Sequence, residues 1–342
     1  MKRSTPWLIA VPAVVAMLLL LMLLSAGDVG YWRRYLAARL ANDTALPLHL
    51  YQPRVIIGGG DGGAMPRALP EEQEIEPAAL QIADSTAQGE GASALLVSRN
   101  GHLIHERYWH GTNAATPTDG GEWTQVVLAL TTGAAVGDAQ LEPGAALATL
   151  QTRLDAARPP GDWLNPWSAG AQHLFARNGQ PVSVEQLAGR DYAAVLSSLL
   201  WKPLNAGEAW LWRDGPATCC MVSRLADWLR VAELLLSDGV FEDERIVPMG
   251  WVEQILPLVR QPGPAPGPEP FVARSMYYLR GAHGSRLWLL PGQRLAILLL
   301  RSRTPDGEAD ETTLPNSIVR GIVNRTTGSR PAADVHELVP AH

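Results

Sequence analysis

GGEWTQVVLALTTGAAVGDAQL, residues 120–141, has almost no polar face once it is wound into a helix. Val126, Val127, Leu128, Leu130, Ala134, Ala135 and Val136 point to every side, so this helix is expected to run through the middle of a domain. Its polar residues gather at the start, where Glu122, Thr124 and Gln125 follow the breaker Asp119-Gly120-Gly121. Glu122 and Gln125 are three apart and share one face of the first turn.

Upstream, SALLVSRNGHLIHERYWHG (93–111) reads as two strands around Asn100-Gly101, a strong hairpin signal. His102 and His110 would share one strand face and His105 the other, so the three do not converge on a metal. A helix is expected over 75–88. Downstream, 192–204, 223–237 and 249–256 read as helices. SMYYLRG, SRLWLLPG and QRLAILLLRS then switch to strand periodicity, and a last helix spans 314–324. Hairpin, helices, strands and helix, in that order, describe an α+β domain whose antiparallel sheet joins N-terminal and C-terminal strands.

With 342 residues and 46% hydrophobic content, the chain can bury a sizeable core. A net charge of −6 and no basic block give no footprint for nucleic acid. Trp7 to Leu24 is an unbroken apolar run behind Lys2 and Arg3, long enough to cross a bilayer. The expectation is an uncleaved single-pass anchor in the inner membrane with the body on the periplasmic side. A signal peptide cleaved after Ala26 is the alternative. Residues 1–27 are then the anchor. Residues 28–73 form a juxtamembrane helix (31–40) and a flexible, glycine-rich linker, and 328–342 a tail. The run 58–63 lacks the Gly-Lys-Ser/Thr ending of a phosphate loop. Cys219 and Cys220 are adjacent and without nearby histidine partners, so they read as buried residues or a vicinal disulfide rather than a metal site. No cofactor or metal is expected.

The order of these pieces resembles a known family: the NG hairpin, the buried helix ending in GDAQL, WKPLNAGEAWLW, CCMVSRLADWLR, RIVPMGWVEQI and RLWLLPGQRLAILLLR. They are similar to the serine β-lactamase-related hydrolases, which include class C β-lactamases, penicillin-binding proteins, esterases and aminohexanoate-oligomer hydrolases. The resemblance covers about 75–325, most specifically in CC-x-x-x-R-x-x-D-W-x-R, and sets the main domain at 74–327. It implies an antiparallel sheet flanked by helices, with the active site at the sheet edge.

In that family the buried helix begins Ser-x-x-Lys, one turn placing the hydroxyl beside a desolvated amine that takes its proton. Counting back from GDAQL, the resemblance puts Glu122 at the serine position and Gln125 at the lysine position. The only lysines are Lys2 and Lys202, and neither has a serine three residues before it. The family's Tyr-x-Asn/Ser motif, read on from Pro159-Pro160-Gly161, falls on Pro166 and Ser168, and proline relays no proton. The third motif falls near Gly281-Ala282-His283-Gly284, which leaves His283 and Gly284 as candidate pocket residues. Only residues 142–159 stand where the family carries a long helical insertion, so that subdomain is expected to be reduced.

Two functions follow. One is a membrane-anchored pseudoenzyme that binds a cell-wall fragment, a small ligand or a partner at the envelope. The other is a divergent esterase- or amidase-type hydrolase, with Ser168 as nucleophile and His283 as base, or with Glu122 activating water. No G-x-S-x-G elbow supports Ser168, because Pro166 stands where its first glycine belongs.

Overall fold

The computed structural model describes residues 14–17, 48, 54–69, 74–156, 192–212, 221–259, 267–273, 275–302 and 310–323. Most of the apolar run 7–24, the 31–40 helix, Pro166, Ser168, both cysteines and the 328–342 tail lie outside the described residues. Within 7–24 only Val14–Met17 are described, as helix, and no helix among the described residues is long and apolar enough to cross a membrane.

In chain order, β1 (Arg54–Ile57) leads to α1 (Pro77–Gly89), and the hairpin β2 (Ala92–Arg99) and β3 (His102–Tyr108) follows. β4 (Pro117–Asp119) delivers the chain to α2 (Trp123–Gly137), and α3 (Pro143–Ala156) comes next. Beyond the 157–191 stretch, α4 (Tyr192–Val195) continues as a π-helical turn, Leu196–Trp201. β5 (Ala209–Trp212), β6 (Met221–Arg224) and α5 (Leu225–Leu236) precede the small ribbon β7 (Val240–Phe241) and β8 (Glu244–Arg245). The described chain closes with α6 (Trp251–Val259), β9 (Tyr277–Arg280), β10 (Arg286–Leu290), β11 (Leu295–Arg301) and α7 (Thr313–Arg320).

The hairpin forms as its sequence requires, with Asn100 and Gly101 both left-handed at φ 53° and 82°. The main sheet has the order β3-β2-β11-β10-β9, antiparallel throughout, so strands from the two ends of the domain interleave. Both faces are buried, which is why AILLL in β11 is apolar without alternation. Leu96, Leu287, Leu289 and Leu298 face the core around α2 and α5, while Leu95, Val97, Trp288, Ile297 and Leu299 face α1 and α7. α2 is buried along its length, as its composition demands. Two of its three buried threonines donate to carbonyls four residues back, Thr131 to Val127 (2.7 Å) and Thr132 to Leu128 (2.8 Å). The Trp251 indole donates to the Ala129 carbonyl at 3.0 Å and ties α6 to the middle of α2.

Three features depart from the sequence reading. Residues 54–63, expected as flexible linker, are part of the fold: β1 pairs with β5 in a second antiparallel sheet of order β1-β5-β6-β4. The glycine run beyond β1 is then held by backbone bonds that need no side chains of its own. Gly60 N donates to Ala206 O (2.8 Å), and the Gly58, Gly62 and Gly63 carbonyls accept from Ser197, Arg224 and Arg230. The helix expected over 192–204 is largely π-helical. And α3 occupies residues expected to be irregular; Pro143 opens it, and the Glu142 carboxylate accepts the Ala145 N–H at 2.8 Å.

The R-x-x-D-W-x-R run that carries the resemblance most specifically does structural work. Asp227 is fully buried at the start of α5 and accepts from Gly207 N, Ser223 Oγ, Arg224 and Arg230, all between 2.8 and 3.1 Å. The two arginines reach on to the Gly62 and Gly63 carbonyls, so one carboxylate fastens the glycine run to both sheets' neighbouring helix. Burial holds the Arg230 guanidinium below its ordinary range, and the Asp227 charge opposes that.

Candidate functional site

β4 ends at Asp119, whose carboxylate accepts the Gly121 N–H at 2.8 Å and closes a tight turn. Gly120 N donates to Met221 O of β6 at 2.9 Å, which fixes the turn against the second sheet. The chain then enters α2 through three successive i→i−3 bonds, from Trp123, Thr124 and Gln125 to Gly120, Gly121 and Glu122. Glu122 is the residue preceding the first helical turn, with helical φ and ψ and no side-chain capping bond. Glu122 and Gln125 are both half-buried.

Across from this helix start stands the edge of the main sheet. β9 is the edge strand, and the turn Ala282–Gly284 links it to β10. Gly121 takes φ 53° and lies so close to this turn that a Cβ on it would sit 2.5 Å from Ala282 N. From the other side, a Cβ at Gly281 would fall 2.7 Å from the Trp123 ring. The Trp123 indole donates to Leu279 O of β9 at 3.2 Å and leans on Trp228 with ring centres 5.6 Å apart. Helix start and strand end therefore meet in direct contact, on a floor of buried tryptophans that Trp201 completes.

The turn is held from behind. His283 sits in the left-handed region at φ 55°, a conformation the surroundings must impose. Arg301 of β11 donates from its side chain to Gly284 O at 2.7 Å and from its backbone to Ser285 Oγ at 3.0 Å. Its guanidinium also pairs with Glu90. Burial pushes the Glu90 carboxyl above its ordinary value, and Arg301 pulls it part of the way back.

Of the residues singled out from sequence, Glu122, Gln125, His283 and Gly284 come to the two sides of this joint. Pro166 and Ser168 lie outside the described residues, so the Ser168–His283 arrangement has no geometry here. The three hairpin histidines do not converge: His105 bonds Asp84 of α1 at 2.7 Å, and among the described residues no cluster is fit to hold a metal. The Asp119-Gly120-Gly121 breaker is the turn into the helix, as its residues indicated, whereas Trp123, Arg301 and Glu90 were not anticipated. Arg301 left one trace, a charge ending an apolar strand. The site offers a carboxylate, an amide and an imidazole on a rigid frame. Among the described residues it has no hydroxyl–amine pair, because Lys202, the one lysine among them, is exposed beside Gly58 and follows Leu199 by three.

No family model and no curated protein matches this sequence. Solved structures do match. A protein from Bacillus anthracis named as a 6-aminohexanoate-dimer hydrolase superposes with TM-score 0.53 at 14% identity, over 80% of this chain and 90% of its own. A protein from Bacteroides dorei named as a β-lactamase gives 0.52 at 14% identity, over 72% of this chain and 98% of its own. The chain thus has the α+β fold of the serine β-lactamase-related hydrolases, in a strongly divergent form. Its buried helix start and its edge strand meet at the joint described above.

Proposed function

We propose that this protein is a membrane-anchored pseudoenzyme of the serine β-lactamase fold. Its body lies on the periplasmic side of the inner membrane and binds a cell-wall fragment or a related small ligand. The observation that carries the reading is the pair Glu122 and Gln125 at the start of α2, in a chain where no serine precedes a lysine by three. Nucleophilic catalysis on this fold needs a hydroxyl with a base one turn away, and a glutamine neither takes nor gives a proton at neutral pH. Function does not follow from fold, so the site decides.

The test is labelling of the purified protein with a fluorescent penicillin and with a fluorophosphonate. Neither should attach. A labelled band that disappears in Ser168→Ala would overturn the proposal in favour of a rearranged hydrolase. A second arm addresses the anchor: intact protein should stay with membranes through a carbonate wash, and a soluble species beginning near Gly27 would show a cleaved signal instead.

A further inference from the structure

The other end of α2 opens on a cleft of about 590 Å³, within the range of small-molecule sites. It is independent of the helix start discussed above. Its inner wall is apolar, from Ala134, Leu199, Ile246 and Val247. One side is the π-helical turn, where Lys202 N reaches back five residues to Ser197 O (3.0 Å) and Ser198 and Leu199 line the cleft. Such turns recur at functional sites because they carry a local cost that packing alone does not require.

The rim carries Asp138, Glu244 and Arg245. Asp138 caps the C-terminal end of α2, the negative end of the helix dipole. The Glu244 backbone pairs with Phe241 of β7, and its side chain makes no hydrogen bond or ion pair among the described residues. Arg245 offsets part of this charge, which leaves two carboxylates, one of them accepting from the Gln140 amide, against one guanidinium on the rim. Its guanidinium donates to the Asp238 and Val247 carbonyls at 2.8 and 3.1 Å, with the Asp238 carboxylate 4.0 Å away. The nearby Lys202 is not part of the wall and lies against Gly58. Apolar floor, negative rim and helix C-terminus together select a positive head on a hydrocarbon body.

We infer that this cleft binds a small organic cation, an ammonium or amidinium on a compact apolar group. The experiment is a ¹⁹F NMR titration of 4-fluorobenzylamine with the full chain in detergent, against detergent alone. 4-Fluorobenzyl alcohol and 4-fluorophenylacetate serve as neutral and anionic comparators. The amine should bind saturably, and the acetate should not. Asp138→Asn with Glu244→Gln should weaken the amine about tenfold, as expected for two partly exposed charges. Ser198→Trp, which fills the cleft without touching the rim charges, should abolish binding. Variants are taken forward only with a wild-type melt, and these surface positions allow it. Equal binding of all three probes, insensitivity to both variants, or no saturable binding would each overturn the inference.

Discussion

At the residue scale, Glu122 and Asp227 show two fates for acidic side chains at helix starts. Glu122 stands beside the positive end of α2, where a carboxylate is favoured by roughly 0.3–1 kcal/mol when exposed. Rebuilding the catalytic pair as Glu122→Ser with Gln125→Lys removes that carboxylate and adds an ammonium at the unfavourable end of the dipole. The double variant should melt below wild type and should not turn over a chromogenic ester. A higher melt, or turnover, would mean the motif positions are misplaced. Asp227 is the more consequential residue. Asp227→Asn leaves Arg230, with a side chain only 2% exposed, without its charge partner. Breaking a buried pair from one side typically costs roughly 3–5 kcal/mol, and urea denaturation should show a loss of that size. A loss under about 1 kcal/mol would mean the arginines find other partners.

At the element scale, packing decided what patterning alone did not reveal. α2 and the hairpin were legible because each depends on its own residues: an apolar run that must be buried, and Asn100-Gly101 at positive φ. β1 was not, because RVII is short and its partner β5 lies far along the chain. The glycines that follow β1 read as linker because their bonds are all made by backbone atoms. The candidate joint was half legible. Glu122, Gln125 and His283 came from motif positions, whereas Trp123 and Arg301 act through tertiary contacts that no local spacing records.

α5 offers a pH test of such a contact. Glu233 is buried against β2, accepts from Ser98 Oγ and faces Gly101 N, with Arg294 and His102 as the nearby charged or titratable groups. Burial raises its carboxyl above the ordinary 4.5, and those donors and charges offset only part of the rise. A carboxyl raised in the folded state contributes stability that is present below the unfolded value and lost as pH climbs through the folded one. Glu233→Gln mimics the protonated form, so its stability relative to wild type should increase as pH rises above the ordinary carboxyl value of 4.5. Comparing the two proteins cancels the opposite contributions of groups held below their usual range. One such group is Asp310, where burial pushes upward but the Thr312 and Thr313 donors prevail. A pH-independent difference in urea melts would refute this.

At the scale of the whole molecule, β1 joins the folded body ahead of residue 74, where the resemblance set the start of the main domain. A chain starting at residue 74 loses β1 and the Gly62 and Gly63 carbonyls that Arg224 and Arg230 bind, whereas one starting near residue 50 keeps them. The shorter chain should be insoluble or melt well below the longer one; equal melts would show that β1 is dispensable. The sheet also sets an order of events during synthesis. β11 lies between β2 and β10, with Leu295 opposite Arg99, so the centre of the sheet is the last of its strands to leave the ribosome. Until it does, β2 has a neighbour on one side only, and its other edge, apolar on both faces, stays open. A nascent chain stalled before Leu295 keeps that edge permanently and is a natural substrate for chaperones or aggregation.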